Sequence, residues 1–428
     1  MTLAFVVPLM FATCDLGEVF SKPDAWVTSA VDFAAEHRND GFRFASRKQD
    51  IVNCMGRGKC TWHGLEVWEA RVYFGTDGAT RVEMSMYNRG DDRSHDGLGA
   101  DELQKLLDSI AACAQPGGKI GSGTDRQKLR TGGFRMSKRW TSGYCNVELD
   151  WGVDGAKKEN LTADFVRVTM YPKGASKPKK IPKEGVAGIV SSKKIKANVR
   201  KNSEGDVWID NVPMVDQGQK GYCAAATSER ILRYYGFAVD EHEIAQSAGT
   251  TARGGTSIAG MVETVRTVGQ RCRLAFVSLV SSATDMKSVE RDLELYNRAA
   301  KSEGARELSI EQFTRGRTIN LGELYAAQDP KIVKKARMKD ARYGKFLKDV
   351  KDQVNKGIPV IWGVTLGRYP EPGLPQTAGG HMRMIIGYNA KTKEILYTDS
   401  WGSGHELKRM PQDWAFAITN DAFFLKPQ

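Results

Sequence analysis

The stretch Val212-Pro213-Met214-Val215-Asp216-Gln217-Gly218-Gln219-Lys220-Gly221-Tyr222-Cys223 runs straight into Ala224-Ala225-Ala226-Thr227-Ser228-Glu229-Arg230-Ile231-Leu232-Arg233-Tyr234-Tyr235-Gly236. The second part reads as a helix that starts at Cys223 and is closed by Gly236, a residue suited to the left-handed position after a helix. A thiol attacks a carbonyl only as thiolate, and its free pKa of about 8.5 leaves little thiolate at neutral pH. A helix N-terminus lowers that pKa, and a neighbouring imidazolium lowers it further. Cys223 stands where the first of these is expected. A side-chain amide just upstream, Gln217 or Gln219, with the Cys223 backbone N–H, is a candidate donor pair for an oxyanion.

The imidazole is expected from a hairpin near the C-terminus. His381 opens one strand, His381–Tyr388, and Asp399 follows the end of the next, Glu394–Thr398, across a turn at Asn389-Ala390-Lys391-Thr392. In an antiparallel pair the start of the first strand lies beside the end of the second. His381 and Asp399 are therefore expected to be neighbours, and the carboxylate then orients the imidazole and favours its charged form. His405 is expected at the surface, and Cys272, with no upstream glutamine or helix start, is read as structural.

The step of six residues from Gln217 to Cys223 resembles the active-site entry of papain-like cysteine peptidases, and it selects Gln217 over Gln219. Gly380-His381 before an apolar strand ending Gly387-Tyr388 resembles their histidine strand. Thr398-Asp399-Ser400-Trp401-Gly402 resembles their Asn-Ser-Trp-Gly, with Asp in place of Asn. That Asp, and the helix end Arg233-Tyr234-Tyr235-Gly236, make the chain most similar to the bacteriocin-processing-peptidase-like bacterial family. The resemblance implies an α+β fold with a helical side, an antiparallel sheet and a cleft between them. It implies catalytic roles for Cys223, His381, Asp399 and Gln217, substrate contacts at Gly379, Gly380 and Trp401, a peptide or protein substrate, and no metal or organic cofactor. Members that cut leader peptides after two glycines are fused to exporters, so that substrate is not carried over. A transpeptidase or amidase using the same triad, and a binding protein with this half as scaffold, are the alternatives.

Outward from this half, the 428 residues exceed what one hydrophobic core usually holds. The domain is expected over about 206–428, with a helical insertion at about 275–350. Upstream, Asp24–His37 and Asp101–Ala114 both carry apolar residues at helical spacing. Each precedes a Gly-Phe-Arg motif (Gly41-Phe42-Arg43, Gly133-Phe134-Arg135) and two strand-like stretches: Leu65–Phe74 and Arg81–Tyr87, then Tyr144–Trp151 and Phe165–Tyr171. Residues 21–174 are thus read as an α+β domain of two helix-plus-strands units, about 21–97 and 98–174. Its expected role is inhibitory or substrate-recruiting. From Lys173 to Lys201 stand ten Lys or Arg against one acid, Glu184, and 175–205 is read as a Lys-rich linker. No aromatic residues interleave the lysines, so the basic run is not read as a nucleic-acid site despite the net charge of +12.

Leu3–Ala12 is apolar over the length of a signal-peptide core, though no basic residue precedes it. Residues 1–20 are read as a possible signal peptide and the protein as exported, with the cytoplasm as the alternative. No apolar run reaches the roughly 18 residues of a membrane span. Of the seven cysteines, Cys54-x5-Cys60-x2-His63 has the look of half a zinc site, but a local disulfide or plain thiols are the preferred reading.

Overall fold

The computed structural model describes residues 14–89, 97–115, 118, 120, 124–128, 134–154, 161–174, 191–217, 223–237, 262–263, 265–266, 269–270, 273–281, 286–316, 318–374 and 379–427. Gln219, Cys272, residues 1–13 of the N-terminal apolar stretch and residues 175–190 of the basic run lie outside these.

The N-terminal half is one antiparallel-rich sheet faced by helices. Its elements are β1 (Cys14–Asp15), α1 (Leu16–Val19), α2 (Pro23–Val27), α3 (Ala30–Glu36), β2 (Arg43–Phe44), β3 (Ile51–Trp62), β4 (Leu65–Gly75), β5 (Gly78–Asn88), β6 (Leu98–Gly99), α4 (Ala100–Ala114), β7 (Asp125–Lys128), β8 (Phe134–Ser142), β9 (Cys145–Asp154) and β10 (Thr162–Pro172). The sheet order is β1-β3-β4-β5-β10-β9-β8-β7, with β2 on β3 and β6 on β10. Two three-stranded meanders, β3-β4-β5 and β8-β9-β10, thus meet along β5 and β10. Each follows a helix, and Phe33 of α3 with Leu103, Leu107 and Ile110 of α4 joins the core against one sheet face. The helix expected over Asp24–His37 is two. Thr28 takes extended geometry, and the Ser29 side chain caps α3 by accepting from Asp32 N at 3.1 Å.

The opposite face carries alternating charged and polar residues: Glu69, Arg71, Glu148, Asp150, Arg167 and Thr169 are all buried. They survive burial by pairing, as Arg135 with Asp150 at 3.1 Å and Arg139 with Glu148 at 2.9 Å. This face also meets the C-terminal half. Asn53 Nδ2 donates to Asp216 Oδ2, and Arg71 Nη2 donates to the Asp216 carbonyl, both at 3.2 Å.

The C-terminal half contains α5 (Ser192–Lys196), β11 (Val199–Lys201), β12 (Asp206–Ile209), α6 (Cys223–Tyr234), β13 (Leu274–Val280) and α7 (Met286–Ser302). Then come a short hairpin, β14 (Thr314–Arg315) and β15 (Thr318–Ile319), and α8 (Leu321–Ala327), α9 (Pro330–Met338) and α10 (Arg342–Val354). The chain ends with β16 (Val360–Leu366), β17 (Gly379–Asn389), β18 (Glu394–Thr398), β19 (Lys408–Pro411), α11 (Gln412–Ile418) and β20 (Thr419–Pro427). The sheet order is β11-β12-β17-β16-β20-β13, with β18 and then β19 beside β17. With α6 and α10 packed on it, this is an α+β papain-like arrangement. Three boundaries differ from the sequence reading. Residues 14–20, read as part of a possible signal peptide, belong to the N-terminal domain: β1 pairs with β3, and Leu16 and Phe20 are buried in its core. Residues 192–201 are not linker: α5 buries Ile195 in the C-terminal core and β11 pairs with β12. Residues 275–280 are not insertion: they form β13, paired to β20. Helices α7, α8 and α9 bury Leu293, Tyr296, Leu324 and Val333 in a small core of their own.

Candidate active site

Helix α6 starts at Cys223 and ends as a Schellman motif. Gly236 N donates to Arg233 O at 2.9 Å, Phe237 N donates to Leu232 O at 3.0 Å, and Gly236 has φ +87°. Residues three or four apart, Cys223, Thr227 and Arg230, share a face directed at β17 and β18. Thr227 Oγ1 donates to the Met382 carbonyl at 3.1 Å, and the Met382 N–H donates to the Cys223 sulfur. These two contacts fix the thiol beside His381.

Thr398, the last residue of β18, faces Met384 of β17. Asp399, one residue further, therefore lies beside Arg383, and His381, two residues from Arg383, is on the same face. Both reach Asp399: His381 Nε2 lies 2.7 Å from Oδ1, and Arg383 Nη1 lies 3.5 Å from Oδ2. With Nε2 engaged, Nδ1 is the ring nitrogen left for the hydrogen bond with Cys223. Trp401 stacks on the imidazole at 4.2 Å and 3° between planes. Gln217 is buried; its N–H donates to the Ser400 carbonyl at 2.8 Å, and its Oε1 accepts from Ser400 Oγ at 2.6 Å. That contact leaves Nε2 as the amide's donor end. Cys223, His381, Asp399, Gln217 and Trp401 are thus brought together, while Gly379 and Gly380 are exposed at the start of β17, with open space where a Gly380 side chain would stand.

The electrostatics favour charge separation. Burial pushes the Cys223 pKa up, but the hydrogen bond and charge of His381 outweigh it, and the thiol lies below its ordinary value. Burial pulls His381 down, yet the Asp399 carboxylate and the hydrogen bonds hold it up at about 9. Asp399, opposed by burial but held by His381 and Arg383, falls to about 2. These directions favour a thiolate–imidazolium pair over the neutral one.

Sequence reasoning missed what stands behind Asp399. Arg383 is fully buried and forks onto Glu371, Nη1 to Oε1 at 2.8 Å and Nη2 to Oε2 at 3.2 Å. It lies between the rings of Trp362 and Tyr397, at 4.6 and 4.2 Å, and the Tyr397 hydroxyl also donates to Glu371. Arg230 is buried too, donating to the Pro213 carbonyl at 2.7 Å and to Thr398 Oγ1. The one available signal was a lone arginine inside an apolar strand. His405 is not the surface residue expected. It is half-buried, and its carbonyl accepts from Asp399 N at 2.9 Å.

Residues 211–285 match the Peptidase C39 family, and residues 283–420 match the Peptidase_C39 like family. Both matches fall in the C-terminal half and support a papain-like cysteine peptidase related to the bacteriocin-processing peptidases. Residues 283–350 of the expected insertion fall within the second match. Solved structures similar to the chain include the peptidase domain of Streptococcus ComA, a bifunctional ABC transporter involved in a quorum-sensing pathway. It has 12% identity and a TM-score of 0.26, covering 51% of this chain and 100% of that one. Xylellain, a cysteine protease from Xylella fastidiosa, has 13% identity and a TM-score of 0.28, covering 59% and 99%. A double-glycine motif protease from an AMS/PCAT transporter, solved with its leader peptide, has 12% identity and a TM-score of 0.25, covering 51% and 93%. No curated protein matches. Among the described residues no helix is long and apolar enough to cross a membrane.

Proposed function

We propose that the chain hydrolyses peptide bonds through a thioacyl-enzyme, with Cys223 as nucleophile, His381 as general acid and base, Asp399 orienting the imidazole, and Gln217 with the Cys223 N–H receiving the oxyanion. The observation that carries this is the unbroken contact line from Cys223 through His381 to Asp399, with Gln217 locked beside it by Ser400. The Cys223 thiolate attacks the peptide carbonyl, forming a C–S bond. The tetrahedral adduct collapses as imidazolium Nδ1 gives its proton to the leaving amine. Water, deprotonated by the now neutral His381, adds to the thioester, and the thiol leaves with that proton restored to the pair. Trp401 covers one ring face and keeps water from the His381–Asp399 bond. Gly379 and Gly380 leave the cleft edge open to an extended substrate backbone, and the protein acts after export.

The N-terminal domain, in this reading, steadies the oxyanion strand. Its Asn53 and Arg71 grip Asp216, the residue before Gln217, and Arg47 N donates to Glu406 at 2.9 Å on the loop after Trp401. Between the halves lies a cavity of about 470 Å³, lined by Tyr73, Arg81, Pro213 and Arg233 among others, where a recruited chain segment has room to lie.

The deciding experiment labels the full chain with a thiol-directed epoxide and locates the adduct by mass spectrometry. Stoichiometric modification of Cys223, slowed strongly by His381→Ala, is expected; an unreactive Cys223 in folded protein overturns the proposal. Gln217→Ala is expected to lower kcat by about 10²–10³-fold with little change in KM, the signature of a donor used in the transition state. A loss in KM alone would remove Gln217 from the oxyanion role.

Activity needs Cys223 deprotonated and His381 protonated at once. With the thiol held below and the imidazole raised to about 9, kcat/KM should rise with pH through the thiol's titration, stay level across neutrality and fall through about 9. An alkaline limb already falling near pH 6–7, where free histidine titrates, would mean that Asp399 does not support the imidazolium.

A further inference from the structure

Two buried arginines share one cavity beside the cleft, and the bond-breaking chemistry uses neither. The cavity, of about 60 Å³, lies where the insertion helices meet the sheet. Arg337 of α9 and Arg368, just past the end of β16, line it with Tyr325 of α8, Gln328 and Asn420. Arg368 is only 9% exposed. Its Nη2 donates to Gln328 Oε1 at 2.7 Å, and its guanidinium lies 5.1 Å from the centre of the Tyr325 ring. Its Nε is buried without a hydrogen-bond partner among the described residues, and none of their carboxylates pairs with it.

Such a cation is costly to bury, because a ring face and a neutral amide attract it without neutralising it. Arg337 adds to the cost. Its Nη2 donates to the Thr419 carbonyl, and its ion pair with Asp340 is long, at 4.0 Å. Asp340 is held more closely by Arg342 Nε, at 2.9 and 3.0 Å. Asp292 is the one acid among the lining residues, and it leans to Arg291 at 3.5 Å and Arg342 at 3.8 Å. Its charge acts on Arg337 but not on Arg368. Burial, and then the Arg337 charge, pulls Arg368 down to about 10, so it is still a cation at neutral pH. A purely structural role, tying the end of β16 to Gln328, would use one nitrogen of the guanidinium and would not call for a second arginine on the same cavity.

The cavity stands at the catalytic end of the sheet. Val364 of β16 is the ladder partner of both His381 and Thr419. Arg368 follows the end of β16, Asn420 follows Thr419, and Ser281, also on the cavity, follows β13, whose Val280 pairs with Ala422. All three therefore lie at the end where β17 begins with Gly379, Gly380 and His381. Thr365, the ladder partner of Gly380, donates through Oγ1 to Asn420 Oδ1 at 3.1 Å, which leaves Nδ2 as the donor end of that amide. Two strand spacings, about 10 Å, separate β20 from β17, the reach of about three extended residues.

We propose that this cavity is an anion subsite of the peptidase cleft, in which Arg368, backed by Arg337, takes a carboxylate of the substrate about three residues from the scissile bond. The proposal rests on the peptidase reading given above and adds to it a substrate class. The carboxylate is that of an Asp or Glu side chain or of a chain end; both present the same planar pair of oxygens, which a guanidinium fork matches. The unpartnered Nε supplies one prong, and Asn420 Nδ2 a further donor. A peptide with no carboxylate at that distance leaves two like charges facing one cavity, so the site selects against it.

The test measures binding to the full chain carrying Cys223→Ala, so that it does not depend on turnover. Pools of short peptides are paired so that the members of a pair differ only in Asp against Asn at one position, or in a C-terminal carboxylate against a carboxamide. One kind of carboxylate is expected to bind about 10- to 100-fold tighter than its neutral partner. Tighter Asp pools mean that the subsite reads a side chain, and tighter C-terminal carboxylates mean that it reads a chain end. Arg368→Gln is expected to erase the preference, whereas Arg315→Gln, at an exposed arginine of the same insertion, keeps it. Equal or undetectable binding within every pair overturns the subsite, and so does a preference that survives Arg368→Gln. Should Arg368→Gln fail to fold, the matched pairs on the chain with Arg368 in place decide alone. The peptidase reading is judged separately, since an unreactive Cys223 in the epoxide experiment sinks it whatever the peptides bind.

Discussion

Cys223→Ala is expected to lower kcat/KM by about 10⁴-fold or more, leaving the fold and substrate affinity in place. The side chain lost is small and only partly buried at the head of α6, so the cavity it leaves is minor and the helix keeps its Schellman end. What disappears is the bond-forming atom. His381→Ala should cost nearly as much, because the thiol then loses the hydrogen bond and charge that hold it below its ordinary pKa while the burial that raises it remains. The two act as one device, so the double variant should be scarcely worse than either single one. Losses that instead multiply would mean that the residues serve separate steps. The measurement is steady-state hydrolysis of a peptide pool read by mass spectrometry, with circular dichroism as the check on folding.

The parts of this site that were legible in the sequence are those whose signals are local. Cys223 stands at a helix start that its own neighbours define, and Gln217 lies six positions upstream. His381 and Asp399 are joined by one short hairpin, so their approach follows from strand geometry. What was not legible depends on partners the chain brings from elsewhere. Arg383 reads as an interruption in an apolar strand until Glu371, from a loop, and Tyr397, from the adjacent strand, are seen around it. Strand β3 escaped because Gly56 and Gly58, at φ +114° and +75°, break its alternation. Residues 192–201 read as linker because lysines at 193, 194 and 196 surround Ile195, the single residue of α5 that is buried. The spacing of Cys54 and Cys60 was readable, whereas the approach of Cys14 to His37 and Asp40 needs the β1–β3 ladder and the turn after α3.

Arg383→Met is expected to destabilise the protein by about 3–5 kcal/mol at neutral pH. Charges alternate along a buried row from Glu371 to Arg383, Asp399, His381 and Cys223, and Arg383 neutralises two carboxylates at once. Methionine fills much of the space between Trp362 and Tyr397, so the loss is mainly electrostatic: Glu371 loses its buried cation, and Asp399 keeps only His381. The pH dependence separates this from a packing defect. In the wild type Asp399 sits at about 2, below its ordinary value, so its contribution is present above the unfolded pKa and is lost as pH falls through about 2. Removing Arg383 takes away one of the charges that hold it there, so the variant's Asp399 takes up its proton at higher pH. Protonation then relieves the excess buried negative charge, and the stability gap should narrow as pH falls. Denaturant unfolding at neutral pH and at about pH 4 measures both values. A gap that stays constant between them would place the damage in packing, whereas a narrowing gap, reduced further at neutral pH by Glu371→Leu in the same chain, would show that the row of alternating charges is what Arg383 maintains.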